Sequence, residues 1–199
     1  MKNRNIDIYN KGAKDYAEKF TKAGPRVNDV NHLFELSVKN NPRVLELGCA
    51  NGRDIEQILA HTNDYLGVDG SEELLKLAIN KNPQVEFLLS DFNDLNFGQN
   101  SFDVVVDFAS LFHLDEIEFK NILDKIYGWL SDDGVMVANG KYGDYRQVIM
   151  ADQDGKIQYL YNAEKIKELI GGKFEIIEEK IENLRGQDWY TIFLRKKHA

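Results

Sequence analysis

Three carboxylates in this 199-residue chain, Glu46, Asp69 and Asp91, each fall within or just after a short apolar run of strand character. A turn of small residues, Gly48 to Gly52, follows the first of them. Such a turn at the carboxyl end of a parallel strand is where open α/β sheets bind ligands, and its glycines let backbone approach a ligand closely. Asp69 ends a second strand 23 residues after Glu46, the place from which a carboxylate accepts both hydroxyls of a ribose. Glu46 suits a ligand with a cationic group. A charge in an apolar strand is costly without a partner, so the alternative for Glu46 is an ion pair with a nearby Lys or Arg. His113, in Asp107 to Asp115 (DFASLFHLD), has the pKa range of a general base near neutral pH. It equally fits a hydrogen-bonded histidine that shapes a pocket.

What the turn lacks narrows the ligand. A dinucleotide fingerprint requires G-x-G-x-x-G, and Ala50 and Arg53 stand where its second and third glycines belong. A phosphate-cradling loop requires Lys and Ser/Thr after its last glycine, and here Arg53 and Asp54 follow Gly52. Glu46 would also repel a pyrophosphate.

With Glu46, Gly48, Ala50 and Gly52 in the order of an E/D-x-G-x-G-x-G motif, the chain resembles the class I S-adenosylmethionine-dependent methyltransferases. The resemblance runs from about Tyr9 to Lys196; Ala50 is a mild departure from the motif. It implies S-adenosyl-L-methionine as cofactor. Asp91 would accept from the adenine amino group with Phe92 near the ring, and Phe108 and Ala109 would pass their backbone along the cofactor. Gly70 takes the place of a usual apolar residue beside the adenosine, a loss of packing. Tyr16 would line the methionine end. His113 would face the transferring methyl and, with Tyr142, Tyr145 and Arg146, form the substrate mouth. The KYGDY run and the spacing of Arg185 and Trp189 resemble a small-molecule subgroup of that family.

The elements that must position these residues follow from periodicity. Val44, Leu45 and Leu47 form the first strand, and Ile55, Ile58 and Leu59 a helix after the turn. Strands are predicted at 65–69, 85–89, 102–108 and 135–138. Ser71 caps a helix with Leu74, Leu75 and Ala78 inward, and Asp115 with Glu118 forms a capping box for a longer helix expected to run until Gly134. A helix at 163–170 stops at Gly171-Gly172, and strands at 174–181 and 188–195 follow with no helix between, hence an antiparallel hairpin. The expected fold is α/β and Rossmann-like: a seven-stranded, mostly parallel sheet with a C-terminal antiparallel hairpin and helices on both faces. One domain is expected, with 1–40 as N-terminal helices capping the cofactor site and 41–199 as the methyltransferase domain. Tyr9, Ala13, Tyr16 and Phe20 mark one N-terminal amphipathic helix, and Val27, Val30, Phe34 and Val38 another. Between 139 and 161, Asp154-Gly155 separates two apolar stretches as a hairpin turn, a candidate substrate lid.

Composition bounds the function. With 43% hydrophobic and 29% charged residues the chain can bury a sizeable core. Its net charge of −8 argues against nucleic acid, whose binders show a basic footprint. A single cysteine, Cys49, leaves no intrachain disulfide, no cysteine-rich metal site and no iron–sulfur radical chemistry. No apolar run is long enough for a membrane span and the first residues carry no apolar signal, so a cytoplasmic location is expected, with no metal and no membrane partner. The leading reading is methyl transfer to a small-molecule acceptor by in-line displacement, in an oligomeric state the residues leave open. A catalytically silent cofactor-binding subunit or sensor, and a NAD-dependent oxidoreductase, are the rivals.

Overall fold

The computed structural model describes residues 4–150, 155–184 and 186–198. Helices α1 (Arg4–Lys11), α2 (Ala13–Ala23) and α3 (Val27–Leu36) precede β1 (Val44–Leu47), α4 (Ile55–Leu59), β2 (Tyr65–Asp69), α5 (Glu72–Lys81) and β3 (Glu86–Leu89). Then come β4 (Phe102–Phe108), α6 (Glu116–Trp129), β5 (Leu130–Lys141), β6 (Arg146–Met150), β7 (Lys156–Leu160), α7 (Ala163–Ile170), β8 (Phe174–Leu184) and β9 (Gln187–Lys196). Seven strands form one sheet in the order β3-β2-β1-β4-β5-β9-β8, while β6 and β7 pair separately. The first five run parallel, and β9 is antiparallel to both β5 and β8. The Rossmann-like class I arrangement expected from the sequence is the one observed.

Alternation along each inner strand divides the core between two layers. Leu45, Leu47, Val105, Met136 and Ala138 face α6 and α7, whereas Val44, Val104, Val106, Val135 and Val137 face α3 and α4. Strands buried on both faces read as near-continuous apolar runs, which is how β1, β4 and the centre of β5 appear. Because β2 lies on one side of β1 and β4 on the other, the chain reverses direction of travel across the sheet between β1 and β4. A crevice opens at that reversal, at the carboxyl ends of the strands. Among the described residues no helix is long and apolar enough to cross a membrane.

Three boundaries differ from expectation. The single N-terminal helix is two, α1 and α2, hinged at Gly12, where a Cβ would lie 3.0 Å from the Tyr16 ring. Val38 lies beyond α3 and is 66% exposed, so it marks no helix face. Helix α6 ends at Trp129 rather than near Gly134: Leu130 has the helical spacing from Ile126 but extended dihedrals, and it pairs with Phe102. Leu130 is buried either way, so hydrophobic periodicity could not separate the two outcomes. The predicted turn at Asp154 lies outside the described residues, although β6 and β7 do pair antiparallel.

The expected capping box at the start of α6 is present: Asp115 Oδ1 accepts from the Glu118 amide at 2.9 Å, and Glu118 Oε2 accepts from the Asp115 amide at 3.3 Å. Asp115→Ala leaves that first turn unsatisfied and should lower stability by about 1 kcal/mol. In urea denaturation this would appear as a lower midpoint with an unchanged slope; an unaltered midpoint would deny the cap its role.

Candidate active site

The turn after β1 is shaped by what packs against it. Gly48 has φ +71°, and a Cβ there would lie 2.3 Å from Ser110 Cβ, so the loop after β4 closes directly onto the loop after β1. Ser110 Oγ donates to the Leu47 carbonyl at 2.8 Å and locks that approach. Asp107, fully buried at the end of β4, receives the Ser110 and Leu111 amides on Oδ1 at 3.1 and 3.0 Å and pairs with the Ser110 hydroxyl. Ala50 takes φ +49° and Ala109 φ +77°, dihedrals that non-glycine residues seldom adopt. They bend the backbone on both sides of the crevice. Gly52, at φ +74°, closes the first turn through its amide to the Cys49 carbonyl at 2.9 Å.

Glu46 is buried, and its Oε2 accepts from the Tyr65 hydroxyl at 2.5 Å, a phenol where the sequence left an ion pair open. Gly67 makes this feasible, since a Cβ there would lie 2.7 Å from that hydroxyl. Burial first, then the Asp54 charge, pushes the Glu46 carboxyl up to about 8, against the Tyr65 hydrogen bond and the Arg53 charge. Arg53 itself is paired with Asp54 at 2.6 Å.

Asp69, at the tip of β2, spans the two loops: Oδ2 accepts from the Ala50 amide at 2.9 Å and Oδ1 from the Ser71 amide at 2.7 Å. Burial raises it to about 6, opposed by those amides. Each oxygen keeps a second lone pair for a hydroxyl. At Gly70 a Cβ would lie 2.5 Å from Ile6 Cδ1. The apolar group missing at position 70 is therefore supplied by α1, and the expected loss of packing is made good from outside the repeat. Asp91 caps the short 3-10 turn Phe92–Asp94 by accepting the Asn93 amide at 3.0 Å, with Phe92 beside it.

His113 closes the far side. Its Nδ1 lies 2.8 Å from the Ile157 carbonyl, which can only accept, so Nδ1 carries the proton. Nε2 then accepts from the Tyr9 hydroxyl at 2.9 Å, and Lys156 Nζ donates to the same phenol at 3.2 Å. Burial, then the Lys156 charge, holds His113 down at about 4. Asn5 ties α1 to β7 by giving its Nδ2 to the Ile157 carbonyl and taking the Ile157 amide, both at 2.8 Å.

A cavity of about 310 Å³ joins these groups, at the small end of the range of about 300–1,000 Å³ typical for small ligands. Glu46, Gly48, Ala50, Asp69, Gly70 and Asp91 line it, as do Phe92, Phe108, Tyr16 and His113. Gly52 shapes the turn behind the lining. Tyr142, Tyr145 and Arg146 are a correction, because they fall outside the lining. Tyr142 packs on Tyr190, Tyr145 stacks on Tyr159 with its hydroxyl accepting the Glu116 amide, and Arg146 is exposed on β6. The chain turns away after Lys141, and that residue, with Trp189 beside it in register, reaches the cavity instead. Arg185 lies outside the described residues. The sequence reading did not single out Ile6, Lys156 or Gln158 and met Lys141 only as the first residue of the KYGDY run, whereas Tyr9, Phe20 and Trp189 stood in patterns it had singled out. In β7 the polar Lys156 and Gln158 are the buried positions and the apolar Ile157 and Tyr159 the half-buried ones, so the alternation legible in the sequence points to the opposite face.

Residues 44–134 match a family model described as a methyltransferase domain. The chain is 30% identical over 83 residues to putative methyltransferase 235L of Invertebrate iridescent virus 6, covering 41% of this chain and 31% of that protein. It is 24% identical over 130 residues to carboxy-S-adenosyl-L-methionine synthase of Helicobacter hepaticus, covering 62% and 54%. It thus spans about a third to about half the length of these curated relatives. The solved structure of Burkholderia thailandensis 1,6-didemethyltoxoflavin-N1-methyltransferase, with 1,6-didemethyltoxoflavin and S-adenosylhomocysteine bound, superposes with a TM-score of 0.76 at 18% identity, over 97% of this chain and 87% of that one. The family match spans β1, the turn, β2, Asp91, β4 and α6, and the sheet order extends the likeness in fold to both edges: residues 44–134 are similar to a methyltransferase domain, and the chain shares the fold of solved methyltransferases.

Proposed function

We propose that this protein is a methyltransferase that moves the methyl group of S-adenosylmethionine to a small-molecule acceptor by in-line displacement. The observation that carries the reading is the convergence of Glu46, Asp69 and Asp91, from the tips of three adjacent parallel strands, on the one cavity whose floor is the Gly48 turn. The residues fit the cofactor by their donor set. The Gly48 turn admits close backbone approach, Asp69 retains lone pairs for two ribose hydroxyls, and Asp91 with Phe92 offers an acceptor beside an aromatic face. Ile6 adds an apolar wall, and Glu46 faces the cationic end. When bound, S-adenosylmethionine supplies an electrophilic methyl carbon on a sulfonium.

The chain's own contribution is alignment and exclusion of water. Holding nucleophile and electrophile in line is worth roughly 7–11 kcal/mol. Helices α1 and α2 cap the site on a single domain of 41–199, with Tyr16 at the methionine end, while α3 packs on the sheet. His113 is assigned here to positioning rather than to general-base work: both of its nitrogens are engaged, and its low basicity leaves it a weak proton acceptor. It holds Tyr9 and, through Ile157, the β6–β7 hairpin around the acceptor. A cytoplasmic location accords with the lone, buried Cys49.

Calorimetry should detect binding of S-adenosylmethionine and S-adenosylhomocysteine and none of NAD; tight NAD binding would defeat the assignment. Asp69→Ala removes two charge-assisted hydrogen bonds of about 1.5–3 kcal/mol each. It should weaken S-adenosylhomocysteine by at least about 100-fold while circular dichroism stays native, and an unchanged affinity would take Asp69 out of the site. The pH dependence has a definite sign. A carboxyl raised in the empty site must release its proton to hold the ligand as a carboxylate, so affinity should climb as pH rises through about 6 for Asp69 and on towards about 8 for Glu46. Between about 6 and 8 the loss should approach roughly tenfold per unit as Glu46 takes up its proton, steepening below about 6 as Asp69 follows; a flat profile from pH 5 to 8 would contradict it. For His113, an NMR titration should find the imidazole neutral and Nδ1-protonated down to about pH 5, and protonation near its ordinary value of about 6.5 would restore the base as a candidate.

A further inference from the structure

Nearly every aromatic side chain of this protein packs against another ring or beside a cation. Among the described residues the exceptions are Phe92 and Trp189, and both line the cavity. Phe92 follows β3, and Trp189 stands near the start of β9. Those two strands are five places apart in the sheet order, which sets their axes roughly 24 Å apart. One ligand ring cannot stack on both. Phe92 lies beside Asp91, where the reading above seats the adenine, so Trp189 is left for a second flat group.

An unpaired amide accompanies it. Gln158 on β7 lines the cavity and is only 4% exposed, yet its side-chain amide has no hydrogen-bond partner among the described residues. An amide buried in that way is costly until a ligand or water completes it. Gln158 follows Ile157, whose carbonyl accepts from His113 Nδ1. Trp189 is the register partner of Lys141, which lies near enough to His113 for its charge to lower the basicity of that imidazole. Ring and amide therefore flank His113, the residue expected to face the transferring methyl. Among the described residues, acidic and basic side chains line the cavity in equal number, so the lining selects for no net charge on an acceptor.

On the reading of the site given above, we propose that the methyl acceptor is a neutral, planar heteroaromatic compound with a lactam edge, its ring stacked on Trp189 and its adjacent N–H and C=O paired with Gln158. A primary amide presents a donor and an acceptor side by side, which is how glutamine reads the edge of a base. The indole face is large and rigid, and stacking on it demands flatness rather than any one substituent. Together the two side chains fix the plane of the acceptor and its rotation within that plane, and in-line transfer depends on both.

The test uses the full chain. Calorimetry first measures S-adenosylhomocysteine binding. Ligand-observed NMR on the protein saturated with S-adenosylhomocysteine then compares two flat lactams, carbostyril and isocarbostyril, with their N-methyl derivatives, whose edge is blocked, and with δ-valerolactam, which keeps the edge but has no aromatic ring. The flat lactams should bind at least about tenfold more tightly than either comparison, since each comparison withholds one contact. Gln158→Met should shrink the penalty for N-methylation to about twofold or less, and Trp189→Leu should do the same for loss of the ring. Both variants should keep S-adenosylhomocysteine affinity within about twofold, which also reports that they fold. In the wild-type protein, S-adenosylhomocysteine binding with no lactam bound, or with the blocked or saturated compounds bound equally well, would overturn the acceptor class without recourse to any variant. A penalty for N-methylation that survives in Gln158→Met, or a ring preference that survives in Trp189→Leu, would remove that residue from the seat and defeat the proposal. So would loss of S-adenosylhomocysteine affinity in either variant with native circular dichroism, because that residue would then serve the cofactor. Absence of S-adenosylhomocysteine binding by the wild-type protein would overturn the cofactor reading and this one with it.

Discussion

The close approach of two loops at the centre of the sheet is the constraint on which the site depends. Where β1 and β4 end side by side, there is no room for a single carbon atom between position 48 and Ser110. That contact brings two backbones together at the point where the chain reverses its course across the sheet. Three buried or half-buried acidic side chains then face one space instead of three. The Asp107 carboxyl and the Ser110 hydroxyl hold the arrangement from beneath.

The carboxylates act on structure before they meet a ligand. Asp69 ties the Ala50 turn to the start of α5, and a carboxylate that accepts backbone amides is stiffly oriented. Glu46 is held by a phenol, so it remains in place with no cation present. A cationic ligand group arriving there meets a fixed acceptor rather than displacing an internal ion pair. Burial raises both carboxyls, which makes ligand capture and proton release two sides of one equilibrium.

Opposite them, α1 and β7 form a separate layer that joins the sheet through side chains. Asn5 pairs with both polar groups of Ile157 as a neighbouring strand would, and Tyr9 bridges Lys156 to His113. Ile6 comes from the same short helix and fills the volume beside Gly70. The N-terminal segment is thus part of the cavity wall, and the small residue at position 70 pairs in space with a large one 64 positions earlier.

By itself the sequence determined the repeat and the strand-end carboxylates of the cavity. Apolar runs with period two and helical stripes with period 3.6 located nearly every strand and helix, and the turn residues placed Glu46, Asp69 and Asp91 at strand ends. These are local properties, since a strand followed by a turn puts its last side chain at the sheet edge wherever the rest of the chain lies. The other half of the cavity was legible only as a segment outside the repeat. Tyr142, Tyr145 and Arg146 lie close to the β5 end in sequence but leave the cavity, whereas Lys141, Lys156 and Gln158 enter it. Which of these points inward depends on the path of β6 and β7 and on how α1 docks against them. Those contacts join residues about 150 positions apart, and no local periodicity encodes them. The break at Gly12 and the end of α6 at Trp129 belong with them: a buried Leu130 satisfies helix and strand alike, and pairing with Phe102 decided between the two.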